Sequence, residues 1–246
     1  MKTCSNSQER EKLKTILVAP ALNEEGKIGN VVRRAKNAKV VDKILVVDDG
    51  SEDNTRQEAE REGAVVLSHP HRRGVGAAIR TGIDYALKHG YEVVVIIAGD
   101  DQDEPEEIPR LLEKIHEGYD FVQGSRYLQG ERTRNMTRFR KFATRLYPLI
   151  FRLFTGFPCT DGTNGFRAFR TSIFQNKRLN LWQKWLDTYE LEPYLFYMVV
   201  QLGYKVVEVP VTKTYHIQKG YTKMTPFRDW WRILRPLFFL KFRIKR

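Results

Sequence analysis

Two short acidic segments contain the residues of this chain best suited to chemistry, and each directly follows an apolar run. Residues 44–47 lead into Asp48 and Asp49, and residues 93–97 lead into the acidic segment 98–103. A short run of β-branched residues is typical of a strand that is buried on both faces. Ligands of open α/β sheets bind at the carboxyl ends of such strands. The two segments are therefore predicted to bring carboxylates into one crevice.

Carboxylates gathered in one crevice repel each other unless a positive charge lies between them. A hard divalent cation prefers oxygen ligands and is the natural occupant of such a crevice. For either segment alone, an aspartate that caps the following helix is an equally good explanation. Helix capping accounts poorly for the two segments together.

The composition favours a folded domain with a sizeable core. The chain has 246 residues, 41% of them hydrophobic, which suits one large domain or one domain with an appendage. Its apolar stretches fall short of the roughly 18 residues that a membrane span requires. The polar N-terminus contains no signal-peptide core, so we expect a cytoplasmic protein. Cys4 and Cys159 show no metal or redox spacing.

Basic residues are concentrated in two segments of a chain whose net charge is +12. Residues 126–152 contain eight Lys or Arg and one acid, and residues 219–246 contain nine and one. An excess of this kind implies a polyanionic partner, which could be nucleic acid, an anionic membrane surface or a phosphorylated substrate. Charge alone does not choose among these three.

Strand and helix patterns alternate through the first half of the chain, which predicts a parallel sheet. The predicted strands are residues 15–19, 44–47, 64–67, 93–97 and 121–122. The predicted helices are residues 23–35, with Asn23 as the cap, 54–62, 75–88 and 106–116.

The second half of the chain is less regular. Helices are predicted at 136–154, 186–202 and 230–240, a polar loop at 161–169 and a late strand at 205–209. The last helix is aromatic and basic, which is typical of an amphipathic helix at a membrane interface. A helix that docks on the core and exposes a basic face is an equally good explanation.

Three motifs, taken in order, resemble the inverting GT-A glycosyltransferases. They are VAPALNEE at 18–25, VVDDGSEDNT at 46–55 and AGDDQ at 98–102. Further motifs resemble the dolichol-phosphate mannosyltransferase branch: GVGAA at 74–78, GSRY at 124–127, Asp161 with GFR at 165–167, EVPV at 208–211 and GYTK at 220–223. The resemblance implies an α/β fold of the GT-A type, a Rossmann-like, mainly parallel sheet flanked by helices, with a C-terminal amphipathic helix.

The resemblance also implies a reaction. Mannose or glucose would pass, with inversion, from a nucleotide sugar, GDP-mannose or UDP-glucose, to a polyprenyl or dolichyl phosphate. A Mg²⁺ or Mn²⁺ ion held by Asp100 and Gln102 would neutralise the charge that grows on the diphosphate leaving group. The family positions that bind the nucleotide correspond here to Pro20, Leu22, Glu24, Asp48, Asp49 and Gly99.

A lipid phosphate is itself an anionic nucleophile, so it needs positive charge around it rather than a general base. By resemblance, Arg126 and Arg140 face the acceptor phosphate and Lys223 faces either phosphate, and with Asp100 they form the expected catalytic set. The acceptor loop is assigned to Asp161, Asn164 and Glu190. A solvated surface charge is the ordinary explanation for each arginine.

One position departs from the family pattern. The family usually has aspartate at both ends of an Asp-x-Asp triplet, but this chain has Ala98 at the first end. Asp101 or Asp103 would have to supplement Asp100 and Gln102. The departure leaves open a catalytically inactive, regulatory relative.

We expect a disordered tail at 1–14, a catalytic domain at 15–225 and an interfacial helix at 226–246. The expected location is peripheral, on the cytoplasmic face of a membrane, with the anionic membrane surface and a membrane-anchoring subunit as candidate partners. A saccharide or lipid-hydroxyl acceptor, with Asp161 or Glu190 as base, is the first rival interpretation. The second is a basic nucleic-acid-binding protein, against which the acidic segments argue, so no nucleic-acid partner is expected.

Overall fold

A seven-stranded sheet forms the centre of the part of the chain that the structure describes. This computed structural model describes residues 13–216, 224–225 and 227–245. The strands of the large sheet are β1 (Thr15–Ala21), β2 (Lys43–Asp48), β3 (Val65–Ser68), β4 (Val93–Ile96), β5 (Phe121–Ser125), β7 (Arg167–Arg170) and β8 (Val206–Pro210). Strands β6 (Thr133–Arg134) and β9 (Lys213–Thr214) form a small second sheet.

Helices cover both faces of the large sheet. The α-helices are α1 (Ile28–Ala38), α2 (Thr55–Arg61), α3 (Val75–Lys88), α4 (Ile108–His116), α5 (Arg138–Thr155), α6 (Leu191–Gln201) and α7 (Arg228–Lys241). Among the described residues, every helix is either too short or too polar to cross a membrane.

The strand order brings the two acidic segments together. The order is β3-β2-β1-β4-β7-β5-β8, and all neighbours are parallel except β7, which is antiparallel to both β4 and β5. Strand β1 lies between β2 and β4, with Ala21 opposite Asp48 and Val18 opposite Ile96. The carboxyl ends of β1, β2 and β4 therefore meet at one edge, as the sequence predicts.

Strand β1 also divides the core into two layers. Ile16 and Val18 point to the layer that contains α3, α5 and α6, whereas Leu17 and Ala19 point to the layer that contains α1 and α4. Gly82 lets α3 approach this strand closely, since a Cβ added there would lie 2.2 Å from Cγ1 of Val18.

Two predictions about local structure are wrong. Residues 161–169 do not form only a loop, because strand β7 begins at Arg167 and lies between β4 and β5. Its four residues begin and end with arginine, so the segment contains no apolar run that would identify a buried strand. Long-range pairing, rather than local pattern, makes it a strand.

The first helix begins at Ile28, not after a cap at Asn23. Asn23 has a φ of 50°, and its side-chain oxygen accepts the backbone N–H of Glu52 at 2.9 Å. It therefore joins the loops that follow β1 and β2. Helix α6 likewise begins at Leu191, later than predicted, and the other predicted elements are present with small differences at their ends.

Candidate active site

The loops that follow β1 and β2 form one connected wall at the carboxyl edge of the sheet. The backbone N–H of Glu24 donates to Oγ1 of Thr55 at 2.7 Å, and Asp48 accepts the backbone N–H of Ser51 at 2.9 Å. The Glu24 carboxylate lies 2.9 Å from the Lys27 ammonium. Pro20, at the end of β1, is partly exposed on this wall. The wall unites most of the residues that were assigned to the nucleotide.

Asp49 has a different set of contacts from its neighbour. One carboxylate oxygen lies 2.7 Å from Nδ1 of His69 and accepts the backbone N–H of Arg73, and the other accepts the N–H of Gly74 at 2.7 Å. These contacts hold the turn before α3. The nucleotide-binding role of Asp49 stays a prediction, and its observed contacts organise the turn.

Gly99 brings the second acidic segment against β1. Its N–H donates to the carbonyl of Pro20 at 3.1 Å. A Cβ at this position would lie 3.0 Å from the side chains of Ala21 and Ile28. The absence of a side chain at Gly99 therefore allows Asp100 to lie close to Pro20. Leu22, two residues after Pro20, is also partly exposed.

The three acidic side chains of segment 100–103 differ in their contacts, and Gln102 between them is buried. Asp101 has a φ of 58° and accepts the Asn30 amide at 2.7 Å. Both carboxylate oxygens of Asp103 accept the Lys213 ammonium at 2.8 Å. Asp101 and Asp103 therefore hold the segment in place. Asp100 is partly exposed, and its carboxylate accepts the backbone N–H of Gln102 at 3.2 Å.

This donor set fits a Mg²⁺ or Mn²⁺ ion. Within the described ranges, no group of three His, Cys, Asp or Glu side chains is arranged to hold a metal. Mg²⁺ needs no such cage, because it keeps several waters and binds one or two protein ligands together with substrate phosphates. The oxygen atoms of Asp100 and Gln102 suit such an ion better than a softer metal.

Lys213 is a buried cation at this edge of the sheet that the sequence did not point to. Burial alone would lower the pKa of its ammonium, but the charges of Asp103 and Asp100 raise this pKa above its ordinary value. Lys213 therefore stays protonated at neutral pH, and its charge interacts with those of Asp103 and Asp100. Its position two residues after the EVPV motif is the sequence signal that could have identified it.

Arg126 lies inside the protein. Only 2% of its surface is exposed, and its guanidinium donates to both oxygens of Asp161 at 2.6 and 2.7 Å. It also donates to the Tyr215 hydroxyl at 2.9 Å and to Thr163 at 2.6 Å. Burial opposes the charge, but Asp161 and Tyr215 hold the pKa of Arg126 well above its ordinary value. Direct contact of Arg126 with an acceptor phosphate stays a prediction.

Arg140 contacts the same tyrosine from α5. Its guanidinium carbon lies 4.9 Å from the Tyr215 ring centroid, and one nitrogen lies 3.3 Å from the sulfur of Met224. Arg126 and Arg140 therefore meet at Tyr215. Lys223, the third predicted cation, lies outside the described residues.

Glu208 holds the loop that the resemblance assigns to the acceptor. Its carboxylate accepts the backbone N–H groups of Thr160 and Asp161 at 2.8 and 2.9 Å, and the Thr160 hydroxyl at 2.6 Å. Burial raises the pKa of this carboxyl. Asn164 donates to the carbonyl of Gly124 at 3.2 Å. Its amide oxygen is buried without a hydrogen-bond partner among the described residues.

Glu190 connects α6 to the C-terminal helix. Its carboxylate is fully buried, accepts the Thr188 hydroxyl at 2.5 Å and forms an ion pair with Arg235 of α7. Glu192 lies 3.2 Å from Arg167. The acceptor role of Glu190 stays a prediction, and its observed contacts attach α7 to the catalytic domain.

Cys159 gives a simple test of this region. Burial, with Glu208 and Asp161 nearby, raises the pKa of its thiol. The thiolate is the reactive form, so native Cys159 is expected to resist a thiol reagent at mildly alkaline pH. We would follow the absorbance of a disulfide reagent in a Cys4→Ser background, with and without urea. Rapid labelling of the native protein, as fast as that in urea, would contradict the described burial.

The fold and this site define a glycosyltransferase. Residues 16–177 match Glycosyl transferase family 2, and the chain belongs to that family. The sequence prediction of a glycosyltransferase is thereby confirmed.

The relatives narrow the class. The chain is 31% identical to the polyprenol monophosphomannose synthase of Mycolicibacterium smegmatis, over 86% of this chain and 81% of that one. It is also 31% identical to the undecaprenyl-phosphate mannosyltransferase of Micrococcus luteus, over 81% of this chain and 83% of that one. The predicted resemblance to polyprenyl-phosphate transferases is confirmed.

A solved structure confirms the fold. The glucosyl-3-phosphoglycerate synthase of Mycobacterium tuberculosis, solved with Mn²⁺, UDP-glucose and phosphoglyceric acid, superposes with a TM-score of 0.72. The two proteins are 21% identical, and the match covers 95% of this chain and 81% of that one. This likeness concerns the fold alone.

Proposed function

We propose that this enzyme transfers a hexose from a nucleotide sugar to a polyprenyl or dolichyl phosphate, with inversion at the anomeric carbon. The similarity to two transferases named for such acceptors supports the proposal. Because both are named for mannose, GDP-mannose is the first donor to test, and UDP-glucose is the second.

One observation carries the choice of acceptor. The four carboxylates described around the acceptor loop are each held by a cation or by N–H and O–H donors; they are Asp161, Glu190, Glu192 and Glu208. A hydroxyl acceptor requires a base within hydrogen-bond reach to remove its proton. A phosphate acceptor brings an oxygen that is already anionic. Because these carboxylates already have ion-pair or hydrogen-bond partners, a phosphate acceptor, which needs no base, is favoured.

The residues of the chain then have distinct roles. Asp100 and Gln102 would hold a Mg²⁺ or Mn²⁺ ion, which when bound neutralises the diphosphate leaving group. The ammonium of the Lys213–Asp103 ion pair is close enough to Asp100 for their charges to interact, and it keeps a hydrogen-bond donor group at this edge of the sheet. Arg140 and the Arg126–Tyr215 pair orient the acceptor phosphate. Its oxygen attacks the anomeric carbon opposite the diphosphate, and the bond to the diphosphate breaks as the new bond forms.

A matched pair of acceptors tests the proposal. Radiolabelled GDP-mannose or UDP-glucose would be supplied with undecaprenyl phosphate or with undecaprenol, which differ only in the phosphate. Labelled lipid is expected from the phosphate alone. Transfer to undecaprenol at a comparable rate would overturn the proposed acceptor and favour a lipid-hydroxyl transferase.

We also propose that the enzyme lies peripherally on the cytoplasmic face of an anionic membrane. Helix α5 exposes Phe142, Leu146, Leu149 and Leu153, whose spacing places them on one face of the helix. Helix α7 packs beside it, with Phe154 and Phe238 in edge-to-face contact at 5.3 Å.

Helix α7 has two different sides. Its inner side is buried, whereas Trp231 on its outer side is 52% exposed. The exposed apolar residues of α5 and α7 are hereafter the apolar face. Exposed arginines on both helices flank it, which suits an interface with anionic lipid. The two alternatives for residues 230–240 are thus compatible, because one side of α7 packs on the core and the other side is exposed.

Charged substitutions test the apolar face. The double variant Phe142→Asp/Leu153→Asp is expected to lose at least about tenfold in binding to phosphatidylglycerol-containing vesicles, because burying each side chain contributes about 1.5–3 kcal/mol. Both side chains are more than half exposed, at 67% and 77%, so the fold should persist. Vesicle flotation measures the binding. Leu87→Asp, at an exposed leucine of α3, is the control, and an equal loss in that variant would contradict the proposal.

A further inference from the structure

A cavity of about 370 Å³ opens beside α5. Four residues of that helix line it, together with residues 127, 130–131 and 159–160; the four are Arg145, Pro148, Leu149 and Arg152. Ligand pockets commonly have volumes of about 300–1,000 Å³. The cavity is therefore large enough for a small headgroup.

Arg152 lines this cavity, and a hydrogen bond fixes the orientation of its guanidinium. Its Nε donates to the backbone carbonyl of Cys159 at 2.7 Å, which fixes the orientation of the planar group. No described residue accepts a hydrogen bond from its two terminal nitrogens. Two parallel N–H groups on a fixed guanidinium are suited to bidentate binding of a phosphate.

A second arginine and its neighbours make the cavity positive. Arg145 donates to Glu131 at 2.9 Å and lies 5.5 Å from the Tyr127 ring centroid. Glu131 also pairs with Lys141 at 2.6 Å, and its cationic neighbours lower the pKa of this carboxyl. The carboxylate on the cavity wall is thus offset by Arg145 and Lys141, which leaves the charge of Arg152 unbalanced.

The cavity borders the apolar face. Leu149 lines the cavity and is also 59% exposed, between Leu146 and Leu153. A ligand with an anionic head and an apolar tail would match both parts of this surface. Arg140 lies on a different side of α5 from the cavity, because Arg145 follows it by five residues, which is about 140° around the helix axis. The cavity is therefore separate from the position of Arg140 beside Tyr215.

We propose that this cavity binds the phosphate headgroup of an anionic membrane lipid other than the acceptor. The proposal rests on the membrane location proposed above and adds a specific lipid site to it. Headgroup binding would hold α5 at the bilayer surface with a defined rotation about its axis. The acceptor lipid would then approach Arg140 and Tyr215 from a fixed direction.

Three variants of the full chain test the site. Arg152→Gln and Arg145→Gln each remove a cavity arginine, and Arg138→Gln removes an exposed arginine of α5 that does not line the cavity. Binding is measured by flotation with phosphatidylcholine vesicles, with and without phosphatidylglycerol. Loss of one surface arginine is expected to reduce binding to the anionic vesicles about fivefold. Arg152→Gln is expected to lose about tenfold more than Arg138→Gln, because charged hydrogen bonds are lost as well.

The results separate the possible ligands. Equal losses in Arg152→Gln and Arg138→Gln would overturn the proposal. Binding of inorganic phosphate without vesicles, abolished by Arg152→Gln, would assign the cavity to a free phosphate and overturn the lipid assignment. If Arg152→Gln unfolds, Arg145→Gln takes its place, and its loss of vesicle binding is compared with that of Arg138→Gln in the same way.

The same variants distinguish this proposal from the proposed function. Transfer to undecaprenyl phosphate in detergent is expected to be unchanged in Arg152→Gln, because that assay contains no bilayer. Failure of the wild-type chain in the detergent assay would overturn the proposed function. The vesicle comparison would still report on the cavity.

Discussion

Replacement of Asp100 by alanine is expected to reduce the rate of sugar transfer by about 10²–10³-fold, the loss typical when one charge-stabilising group is removed. Asp100 is the acidic residue of its segment whose carboxylate is not bonded to a neighbouring cation or amide side chain in the described residues. The loss should therefore appear in the rate and in metal-dependent nucleotide binding. Stability should change little, because Asp100 is partly exposed. Initial rates and calorimetric titration of GDP and UDP with Mn²⁺ measure these effects.

Asp101→Asn is the matched control for this prediction. It changes the adjacent carboxylate, which accepts a hydrogen bond from Asn30 and lies 3.5 Å from Arg34. We expect Asp101→Asn to retain transfer within a few-fold and to lose a little stability. If the two variants lost activity equally, the segment as a whole would matter rather than Asp100, and the metal assignment would be wrong.

Asp161→Ala is expected to lower the free energy of unfolding by about 3–5 kcal/mol, because it leaves the Arg126 guanidinium buried without its counter-ion. This loss is a large fraction of the roughly 5–15 kcal/mol that stabilises a folded domain. Both side chains are almost fully buried, so water cannot replace the lost partner. Denaturant unfolding measures the change.

Two further variants separate charge burial from other effects. Glu131→Ala breaks surface ion pairs with Lys141 and Arg145 and should cost no more than about 1 kcal/mol for each pair. The double variant Arg126→Met/Asp161→Leu removes both charges and should be more stable than Asp161→Ala. If Asp161→Ala cost no more than Glu131→Ala, the Arg126–Asp161 pair would not have the stabilising role assigned here.

The double variant also addresses catalysis. A protein that folds without Arg126 but transfers no sugar would implicate this arginine in the reaction itself. Retained transfer would limit Arg126 to holding the acceptor loop and Tyr215. Either result would resolve the predicted contact between Arg126 and the acceptor phosphate.

The sequence by itself determined which acidic residues lie at the carboxyl edge of the sheet, and it determined the class of enzyme. Residues 44–47 and 93–97 are continuous apolar runs, and the acidic residues directly follow them. These signals are local, because burial on both faces and a turn at the strand end each leave a pattern within a few residues. Family membership followed from the order of the motifs.

The tertiary structure decided which charges neutralise each other. Asp103 and Lys213 are 110 residues apart, and Arg126 and Asp161 are 35 apart. Such pairing depends on which strands become neighbours, and no local pattern records it. The same long-range pairing placed Arg167 on a strand. The apolar residues of α5 remain exposed in the fold. Helical spacing predicts an apolar face, but tertiary packing decides what covers that face.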